Sequence, residues 1–450
     1  MQRRRFLKAA GVGGTFASLT ALSASRVYGA GERVRLGWIG CGGRGRFVAE
    51  RMRRVEGVEI VAACDVYQRN RERAAQWAGP RCQADDDFRR VLDRGEVDAV
   101  LVATPDHWHA IPTVLACQAG KDVYVEKPLG HNIREGRATL DAARRHQRIV
   151  QLGTQQRSAP HFERMREIIQ SGVLGPVHMV RIWNYRNEFP RGLGRRDDSA
   201  VPEGLDWDFY LGPAPQVAFN QNRFLGSFRW FYDYAGGMIT DWGTHRFDSM
   251  HHVMQVDIPR SVAATGGCFE LHDGRDTPDV LQATYEYPGF ILSYETCMLN
   301  AQGTGPRTPS RDYYRANGPD DRPNGLAFYG TNGTILADRL GFEVYPELQP
   351  GRKADSRDAE VFRMPREEAS SPDSTELHCQ NFIDCVRSRA RPAADVEIGH
   401  RSSIVPHLGN IAYRTGRKLQ WDAEKEEITG DVEASRLLGR EAREPWDLLG

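Results

Sequence analysis

Three glycines with the spacing Gly-x-Gly-x-x-Gly directly follow a short apolar segment near the beginning of the chain. The segment, residues 34–39, has the composition of a buried β-strand. A helix-like stretch to Arg54 follows the glycines Gly40, Gly42 and Gly45. One glycine of such a turn allows a tight bend, one lets the backbone approach a phosphate, and one lets the helix pack closely on the strand. The spacing therefore predicts a strand, a phosphate-binding turn and a helix.

Apolar and helix-like segments alternate after this turn. The predicted strands lie at residues 58–64, 99–103, 122–125 and 149–152, and helices between them lie at residues 109–119 and 134–146. Such alternation is typical of a parallel, doubly wound sheet. We therefore predict an α/β fold that begins with a Rossmann domain at residues 33–155, and a dinucleotide as its ligand.

Asp65 ends the second predicted strand, about twenty-five residues after the glycine turn. A carboxylate at this position accepts hydrogen bonds from the adenosine ribose hydroxyls and repels a 2′-phosphate. NAD is therefore the predicted cofactor. NADP is the second candidate, because Arg69 or Arg71 would offset the repulsion. Capping of the following helix is the alternative interpretation of Asp65.

Two loops at strand ends extend the predicted cofactor site, because ligands bind at the carboxyl ends of strands in parallel sheets. One loop covers residues 104–109, and the other contains the triplet 126–128. His107 and His109 could form a metal pair, but no third ligand follows at a suitable spacing, so we expect no metal. The predicted cofactor-binding residues are Gly40, Gly42, Gly43, Arg44, Gly45, Asp65, Thr104, Pro105, His107, Trp108, His109, Glu126, Lys127 and Pro128.

Lys127 is one of only six lysines among 60 basic residues. The pKa of a lysine falls when it is buried, so it can exchange a proton near neutral pH, whereas arginine stays charged. Its position after an apolar strand predicts a chemical role. An ion pair at the strand end is the alternative.

The alternation of strands and helices ends after Gly153. Longer strands with alternating apolar residues then predict an α+β domain with a large, mostly antiparallel open sheet at residues 156–425. We expect a polar stretch at residues 302–325 to form a surface loop and residues 426–450 to form a C-terminal tail.

Asp241 and His245 stand four residues apart in the second domain, shortly after Gly236 and Gly237. On a helix this spacing places both side chains on one face, where the carboxylate can orient the imidazole or both can converge on a ligand. The two glycines would let the backbone approach a flat group. A helix cap with a buried core histidine is the alternative.

The first thirty residues differ from the rest of the chain. Arg3, Arg4 and Arg5 precede a weakly apolar run rich in Gly, Ala, Ser and Thr that is too short to span a membrane. Residues 1–30 therefore predict a twin-arginine export signal, with the export machinery as a partner, a periplasmic location and no stable membrane insertion. A basic cytosolic start is the alternative. Basic and acidic residues both total 60, so we expect no nucleic-acid partner.

Together, the glycine turn, Asp65, the Glu126-Lys127-Pro128 triplet and the segment with Asp241 and His245 resemble the Gfo/Idh/MocA oxidoreductases over about residues 33–425. The resemblance implies transfer of hydride between a sugar, polyol or inositol hydroxyl and a tightly held nicotinamide cofactor. It also implies a cis peptide bond before Pro128 and a homo-oligomer, a dimer or a tetramer.

By the family's pattern, Lys127 contacts the reacting oxygen, Asp241 orients substrate or base, and His245 is the acid or base. The predicted substrate-binding residues are Lys127, Gln155, Arg157, Tyr185, Trp230, Asp241 and His245. Some relatives with retained NAD are glycosidases that oxidise a sugar only transiently, and this is the alternative function. By the same resemblance, these NAD-dependent glycosidases lack a clear Glu-Lys-Pro triplet, which this chain has. A scaffold that keeps NAD structurally is the third interpretation.

Overall fold

The computed structural model describes residues 33–256, 258–303, 322–352 and 361–447. The predicted export signal and most of the predicted loop at 302–325 lie outside these ranges. No helix in the described ranges is long and apolar enough to cross a lipid bilayer.

Two sheets organise the chain, and their strands are numbered here in chain order. The first sheet contains β1 Val34–Ile39, β2 Val58–Cys64, β3 Gln83–Asp85, β4 Ala99–Val102, β5 Asp122–Val125 and β6 Val150–Leu152. The second contains β7 Val177–Tyr185, β8 Ser261–Gly267, β9 Val280–Tyr287, β10 Phe290–Cys297, β11 Asn324–Gly330, β12 Gly333–Ala337, β13 Gly341–Pro346, β14 Glu368–Ser370, β15 Leu419–Asp422 and β16 Glu427–Ile428.

The helices are also numbered in chain order. They are α1 Gly43–Met52, α2 Gln68–Ala78, α3 Phe88–Leu92, α4 Ala110–Gln118, α5 Ile133–Arg145, α6 Pro160–Gln170, α7 Trp207–Leu211, α8 Thr244–Met254, α9 Thr375–Ser388, α10 Val396–Thr415 and α11 Val432–Arg436. A π-helical turn, Ile239–Gly243, directly precedes α8.

The first sheet is parallel, with the strand order β3-β2-β1-β4-β5-β6. Its central strands are apolar on both faces: β4 and β5 are completely buried, because helices cover both sides. This confirms the predicted doubly wound Rossmann sheet. The strands are short and nearly every side chain is buried, which explains why they appear as continuous apolar runs in the sequence.

The second sheet has the order β14-β13-β12-β11-β7-β10-β9-β8-β15-β16. Its pairs are antiparallel except for β7 with β10, where Met179 faces Ile291. Burial alternates along β9 and β10, so one face packs on α8 and α10 while the other is open. This confirms the predicted, mostly antiparallel sheet.

Two late segments return to the first half of the chain. Helix α9 places Cys379, Phe382 and Ile383 in the same apolar cluster as residues of β1 and α1. Beyond α11, Trp446 joins the apolar cluster around β4 and α4. The nucleotide-binding half therefore depends on chain that is distant in sequence.

Candidate active site

The glycine turn after β1 has the geometry that its sequence predicts. Gly40 has a φ of +88°, and a Cβ atom there would lie 2.6 Å from the carbonyl carbon of Ala103. A Cβ atom on Gly45 would lie 2.1 Å from the Gly40 oxygen. By contrast, a Cβ atom on Gly42 or Gly43 would meet nothing within 4 Å. Gly40 and Gly45 thus need glycine for packing, whereas Gly42 and Gly43 leave open space.

A cavity of about 500 Å³ lies against this turn, between the ends of the parallel strands and segments of the second domain. It brings together most of the predicted cofactor residues and all three predicted catalytic residues. Those that line it are Gly40, Gly42, Gly43, Arg44, Asp65, Thr104, Pro105, Trp108, His109, Glu126, Lys127, Asp241 and His245.

Asp65 fixes the backbone beside the turn while it faces the cavity. Its carboxylate accepts hydrogen bonds from the backbone N–H groups of Cys41 at 2.8 Å and Tyr67 at 2.9 Å, and from the Asn70 amide at 3.2 Å. Burial raises the pKa of Asp65, and the hydrogen bonds from Tyr67 and Cys41 oppose that rise. Asp65 therefore joins the glycine turn to the residues just before α2. Its hydrogen bond from the Tyr67 N–H resembles the helix-capping role that is the alternative interpretation of this residue.

Glu126 and Pro128 hold the loop after β5 in place. The Arg44 Nε atom donates to Glu126 Oε1 at 2.7 Å, which ties α1 to this loop. A ring nitrogen of His109 lies 2.6 Å from the Pro128 carbonyl oxygen. The Lys127-Pro128 peptide bond is cis, as the resemblance implies.

Lys127 is 9% exposed, and its Nζ atom lies 2.5 Å from Asp241 Oδ1. Arg229 Nε lies 3.2 Å from the same oxygen, so one carboxylate holds two cations. Burial opposes the ionisation of Asp241, but Lys127 and Arg229 outweigh it and hold the pKa of Asp241 below its ordinary value. Asp241 therefore stays ionised and fixes the position of the lysine.

His245 follows Asp241 by one turn, at the start of α8, and both residues line the cavity. Burial lowers the pKa of His245 well below 6.5, and the cations Arg339 and Lys127 lower it further. Within the described part of the chain, its Nδ1 atom is buried without a hydrogen-bond partner. His245 is thus a neutral imidazole at physiological pH, with a nitrogen available.

Gly236 and Gly237 contact their own domain. A Cβ atom on Gly236 would lie 2.5 Å from side-chain atoms of Asn410 and Thr240, and one on Gly237 would lie 2.8 Å from Thr277. These glycines allow close packing around the π-helical turn, which carries Asp241.

Some predicted site residues do not line the cavity. Arg157 forms a buried ion pair with Asp248 at 2.8 Å, and the Tyr185 hydroxyl donates to Glu295 at 2.7 Å on the second sheet. Their role in binding stays a prediction. The predicted residues outside the cavity wall are Gly45, His107, Pro128, Gln155, Arg157, Tyr185 and Trp230.

Several cavity residues have no signal in the sequence. Asp106 is 6% exposed and faces Lys127 and Arg229; burial raises its pKa to about 7, and those two cations oppose the rise. Its position in the loop at 104–109 is the one hint that sequence offers. Arg229 lies in a short 3₁₀ helix, Leu225–Trp230, within the long connection between β7 and α8. The other unpredicted wall residues include Phe88, Phe209, Tyr210, Leu225, Phe228, Trp242 and Arg339.

The fold and the cavity define a two-domain protein in which a Rossmann domain of the dinucleotide-binding type precedes an α/β domain. The family model described as "Oxidoreductase family, NAD-binding Rossmann fold" matches residues 34–154. The model described as "Oxidoreductase family, C-terminal alpha/beta domain" matches residues 159–273 and 350–448. The chain therefore belongs to the Gfo/Idh/MocA oxidoreductase family.

Curated relatives are similar over part of their length. The rhizopine catabolism protein MocA of Rhizobium meliloti is 28% identical over 204 residues, which are 43% of this chain and 63% of that protein. Glycosyl hydrolase family 109 protein 1 of Shewanella sp. strain ANA-3 is 34% identical over 129 residues, 26% of this chain and 27% of that protein. The chain thus spans less than two thirds of the length of either relative.

Among solved structures, levoglucosan dehydrogenase in complex with NADH and levoglucosan superposes with a TM-score of 0.63 at 16% identity. The match covers 86% of this chain and 99% of that one. At this identity the likeness shows a shared fold.

Proposed function

We propose that this protein is an NAD-dependent dehydrogenase that oxidises a hydroxyl group of a sugar, polyol or inositol. One observation carries the proposal: Lys127 forms a buried ion pair with Asp241. Both residues line the same cavity as the neutral His245 and the glycine turn. MocA is named for the catabolism of rhizopine, and levoglucosan dehydrogenase has been solved with NADH and levoglucosan; both support the proposed substrate class.

The cavity wall fits a dinucleotide. The open faces of Gly42 and Gly43 leave room for a close approach of phosphate groups, and the nearby N-terminus of α1 favours negative charge. The hydroxyl of Thr104 and Oε2 of Glu126 are buried without hydrogen-bond partners among the described residues, so both await a ligand. NAD, when bound, supplies the hydride acceptor for the oxidation.

Lys127 and His245 have different roles at the substrate hydroxyl. Burial keeps the imidazole of His245 unprotonated, so its ring nitrogen is available to accept the hydroxyl proton. The ammonium of Lys127 stabilises the negative charge that develops on the substrate oxygen. Asp241 keeps this lysine in position, because its ionised carboxylate pairs with Lys127 and is shared with Arg229.

A redox-neutral glycosidase is the second candidate, and the similarity to a family 109 glycosyl hydrolase favours it. Such an enzyme uses the same oxidation, then eliminates the aglycone, adds water to the unsaturated sugar and reduces the sugar again, with no net redox change. Lys127, Asp241 and His245 would serve both reactions, so the product distinguishes them.

One experiment tests both candidates. The purified protein is analysed for bound dinucleotide and then incubated with a panel of sugars, polyols and glycosides. Nicotinamide absorbance reports a dehydrogenase, whereas aglycone release without net reduction reports a glycosidase. His245→Ala should abolish either activity, and His251→Ala, on the same helix but outside the cavity, is the matched control. A protein that shows neither reaction would be an NAD-binding scaffold, and the proposal would be wrong.

We further propose export through the twin-arginine pathway to the periplasm, supported by the basic head and weakly apolar run at residues 1–30. Replacement of both Arg3 and Arg4 by lysine should retain the protein in the cytoplasm, as measured by cell fractionation. Unchanged export of that variant would contradict this proposal.

We also propose a homo-oligomer formed through the open face of the second sheet. Met179 and Ile291 lie side by side on that face and are 40% and 52% exposed. Charged replacements of both residues should convert a dimer or tetramer to a monomer in sedimentation experiments. A wild-type monomer would refute the proposal.

A further inference from the structure

The end of the chain contacts the wall of the cavity from outside. Residues 440–446, called here the C-terminal strap, follow α11 and cross to the nucleotide-binding half. Arg440 forms an ion pair with Glu135 of α5 at 2.8 Å and donates to the carbonyl oxygen of His107 at 2.9 Å. The strap is thereby attached to the loop at residues 104–109.

Arg443 attaches the strap to the end of α7. Its guanidinium donates to the carbonyl oxygens of Gly212 at 2.9 Å and Asp208 at 2.7 Å, and its backbone N–H donates to Pro213 at 3.1 Å. Helix α7 lies in the long connection between β7 and α8 and has only five residues, so it has little stability of its own. The hydrogen bonds from Arg443 stabilise this helix.

Trp446 lies between the two elements that the strap holds. Its ring stacks on Phe209 of α7 at 5.2 Å between centroids and meets the ring of Trp108 edge-on at 4.8 Å. The Arg89 guanidinium covers both Phe209 and Trp446. Trp446 is only 7% exposed, although it lies four residues from the end of the chain.

Phe209 and Trp108 line the cavity on their other sides, together with Phe88, which contacts both of them. Phe88 begins α3, separated from β3 by two residues, and β3 pairs with β2, the strand that Asp65 follows. The adenosine half of a dinucleotide binds beside such a strand end. The three rings therefore form a wall at the adenosine side of the cavity, and Trp446 supports it from behind.

We infer that Trp446 is a positioning residue for cofactor binding: the C-terminal strap holds the wall of Trp108 and Phe209 against the adenosine half of NAD and so retains the cofactor. This inference rests on the proposed function. Trp446 itself does not line the cavity, so its effect passes through the two rings. The strap sets how tightly NAD is held, while the chemistry at Lys127 and His245 is unaffected.

The test compares Trp446→Ala with Trp446→Phe and with Leu438→Ala in the full-length enzyme. Leu438 is 4% exposed and lies just before the strap, but its side chain packs in the core of the second domain, so it is the matched control. The measurements are the Kd for NAD by calorimetry on protein freed of dinucleotide, the NAD release rate, and kcat with both substrates saturating.

We expect Trp446→Ala to raise the Kd for NAD about tenfold, mainly through faster release, with kcat changed less than about twofold. Trp446→Phe should restore most of the affinity, because a ring of similar shape can stack on Phe209. Leu438→Ala should lower thermal stability without changing the Kd.

Arg443→Gln keeps the test decisive if Trp446→Ala does not fold. The side chain of this arginine is 21% exposed, and its loss should raise the Kd about threefold in a stable protein. An unchanged Kd in either folded variant would overturn the inference, as would an equal rise in Leu438→Ala. If the wild-type protein catalyses no reaction, but Trp446→Ala releases NAD faster than the wild type does, the proposed function is refuted and the inference stands. If the wild-type protein binds no NAD, both are refuted.

Discussion

Replacement of Lys127 by methionine separates catalysis from folding in this protein. Methionine fills a similar volume but removes the ammonium, which is 9% exposed and lies 2.5 Å from Asp241 Oδ1. Breaking a buried ion pair costs about 3–5 kcal/mol of stability when the remaining charge has no partner. Here Arg229 still pairs with the same oxygen at 3.2 Å, so we expect the loss of one charge-assisted hydrogen bond, about 2 kcal/mol.

The effect on turnover should be larger than the effect on stability. Removing one preorganised donor from a developing oxyanion typically lowers kcat by about 10²- to 10³-fold, which is about 3–4 kcal/mol. The assay is the rate of nicotinamide reduction at saturating NAD and sugar, with urea denaturation measured in parallel. The Kd for NAD should change less than about threefold, because charge at the glycine turn is untouched. Lys127→Arg should also be nearly inactive, since guanidinium keeps the charge but loses proton exchange and fit.

Lys121 provides the matched control. It is 8% exposed, precedes the same strand β5, and donates from Nζ to the carbonyl oxygens of Arg94 at 2.7 Å and Val97 at 2.8 Å, outside the cavity. Lys121→Met should lose a similar stability, about 2 kcal/mol, with kcat within about twofold of the wild type. Turnover of Lys127→Met within threefold of the wild type would refute the proposed role of Lys127, as would an equal loss of turnover in Lys121→Met.

Three further predictions concern the rest of the cavity. Gly42→Ala should leave thermal stability unchanged, because a Cβ atom there meets nothing within 4 Å, yet weaken NAD binding about tenfold in calorimetry. Gly40→Ala should instead destabilise the fold itself by about 2 kcal/mol or more, because φ is +88° and the new Cβ would lie 2.6 Å from Ala103; a Tm equal to that of the wild type would contradict this. Asp106→Asn should become more stable relative to the wild type as pH rises from about 4 to about 7. The pKa of Asp106 is raised from 3.8 to about 7 in the folded protein, so the wild type binds more protons folded than unfolded in that window and loses stability as pH rises, by at most about 4 kcal/mol. Urea denaturation at pH 4.5 and pH 8 measures this, and a stability difference that does not change with pH would show that Asp106 ionises normally.

The first sheet was predictable because its signals are local. The central strands are short apolar runs, helices follow them within a few residues, and the glycine turn encodes its own geometry at Gly40 and Gly45. The short edge strand β3, with the sequence Gln-Ala-Asp, has no such run and was not predicted. The order of the second sheet is set by pairing between distant segments. β7 lies between β10 and β11, with Asn184 beside both Thr296 and Asn324, and no local pattern records this register. Sequence therefore predicted the type of that sheet but not its order.

The residues of the candidate site that stand in local sequence motifs were predictable, whereas those placed by tertiary packing were not. Lys127, Asp241 and His245 stand in short motifs with recognisable spacing, and the structure brings them to one cavity. Arg229 lies 3.2 Å from the Asp241 oxygen that Lys127 also contacts, but it belongs to a short 3₁₀ helix whose neighbours Phe228 and Trp230 pack in a cluster of aromatic side chains. Trp446 approaches the site only because α11 and the strap fold back across the molecule. Residues placed by tertiary packing leave no periodic signal in the chain.

Asp241 is charged and His245 is neutral although both are buried, and this difference links the fold to the proposed chemistry. Burial disfavours the charged form of both groups, whereas nearby cations lower the pKa of both, which favours the charged carboxylate and the neutral imidazole. Lys127 and Arg229 stabilise the Asp241 carboxylate enough to overcome its burial, whereas Arg339 and Lys127 add to the effect of burial on His245. The same lysine therefore favours the ionised form of its carboxylate partner and adds to the burial that keeps His245 neutral. A site that removes a proton from a hydroxyl needs this combination, because a protonated histidine could not accept the proton and a protonated aspartic acid could not hold the lysine in place.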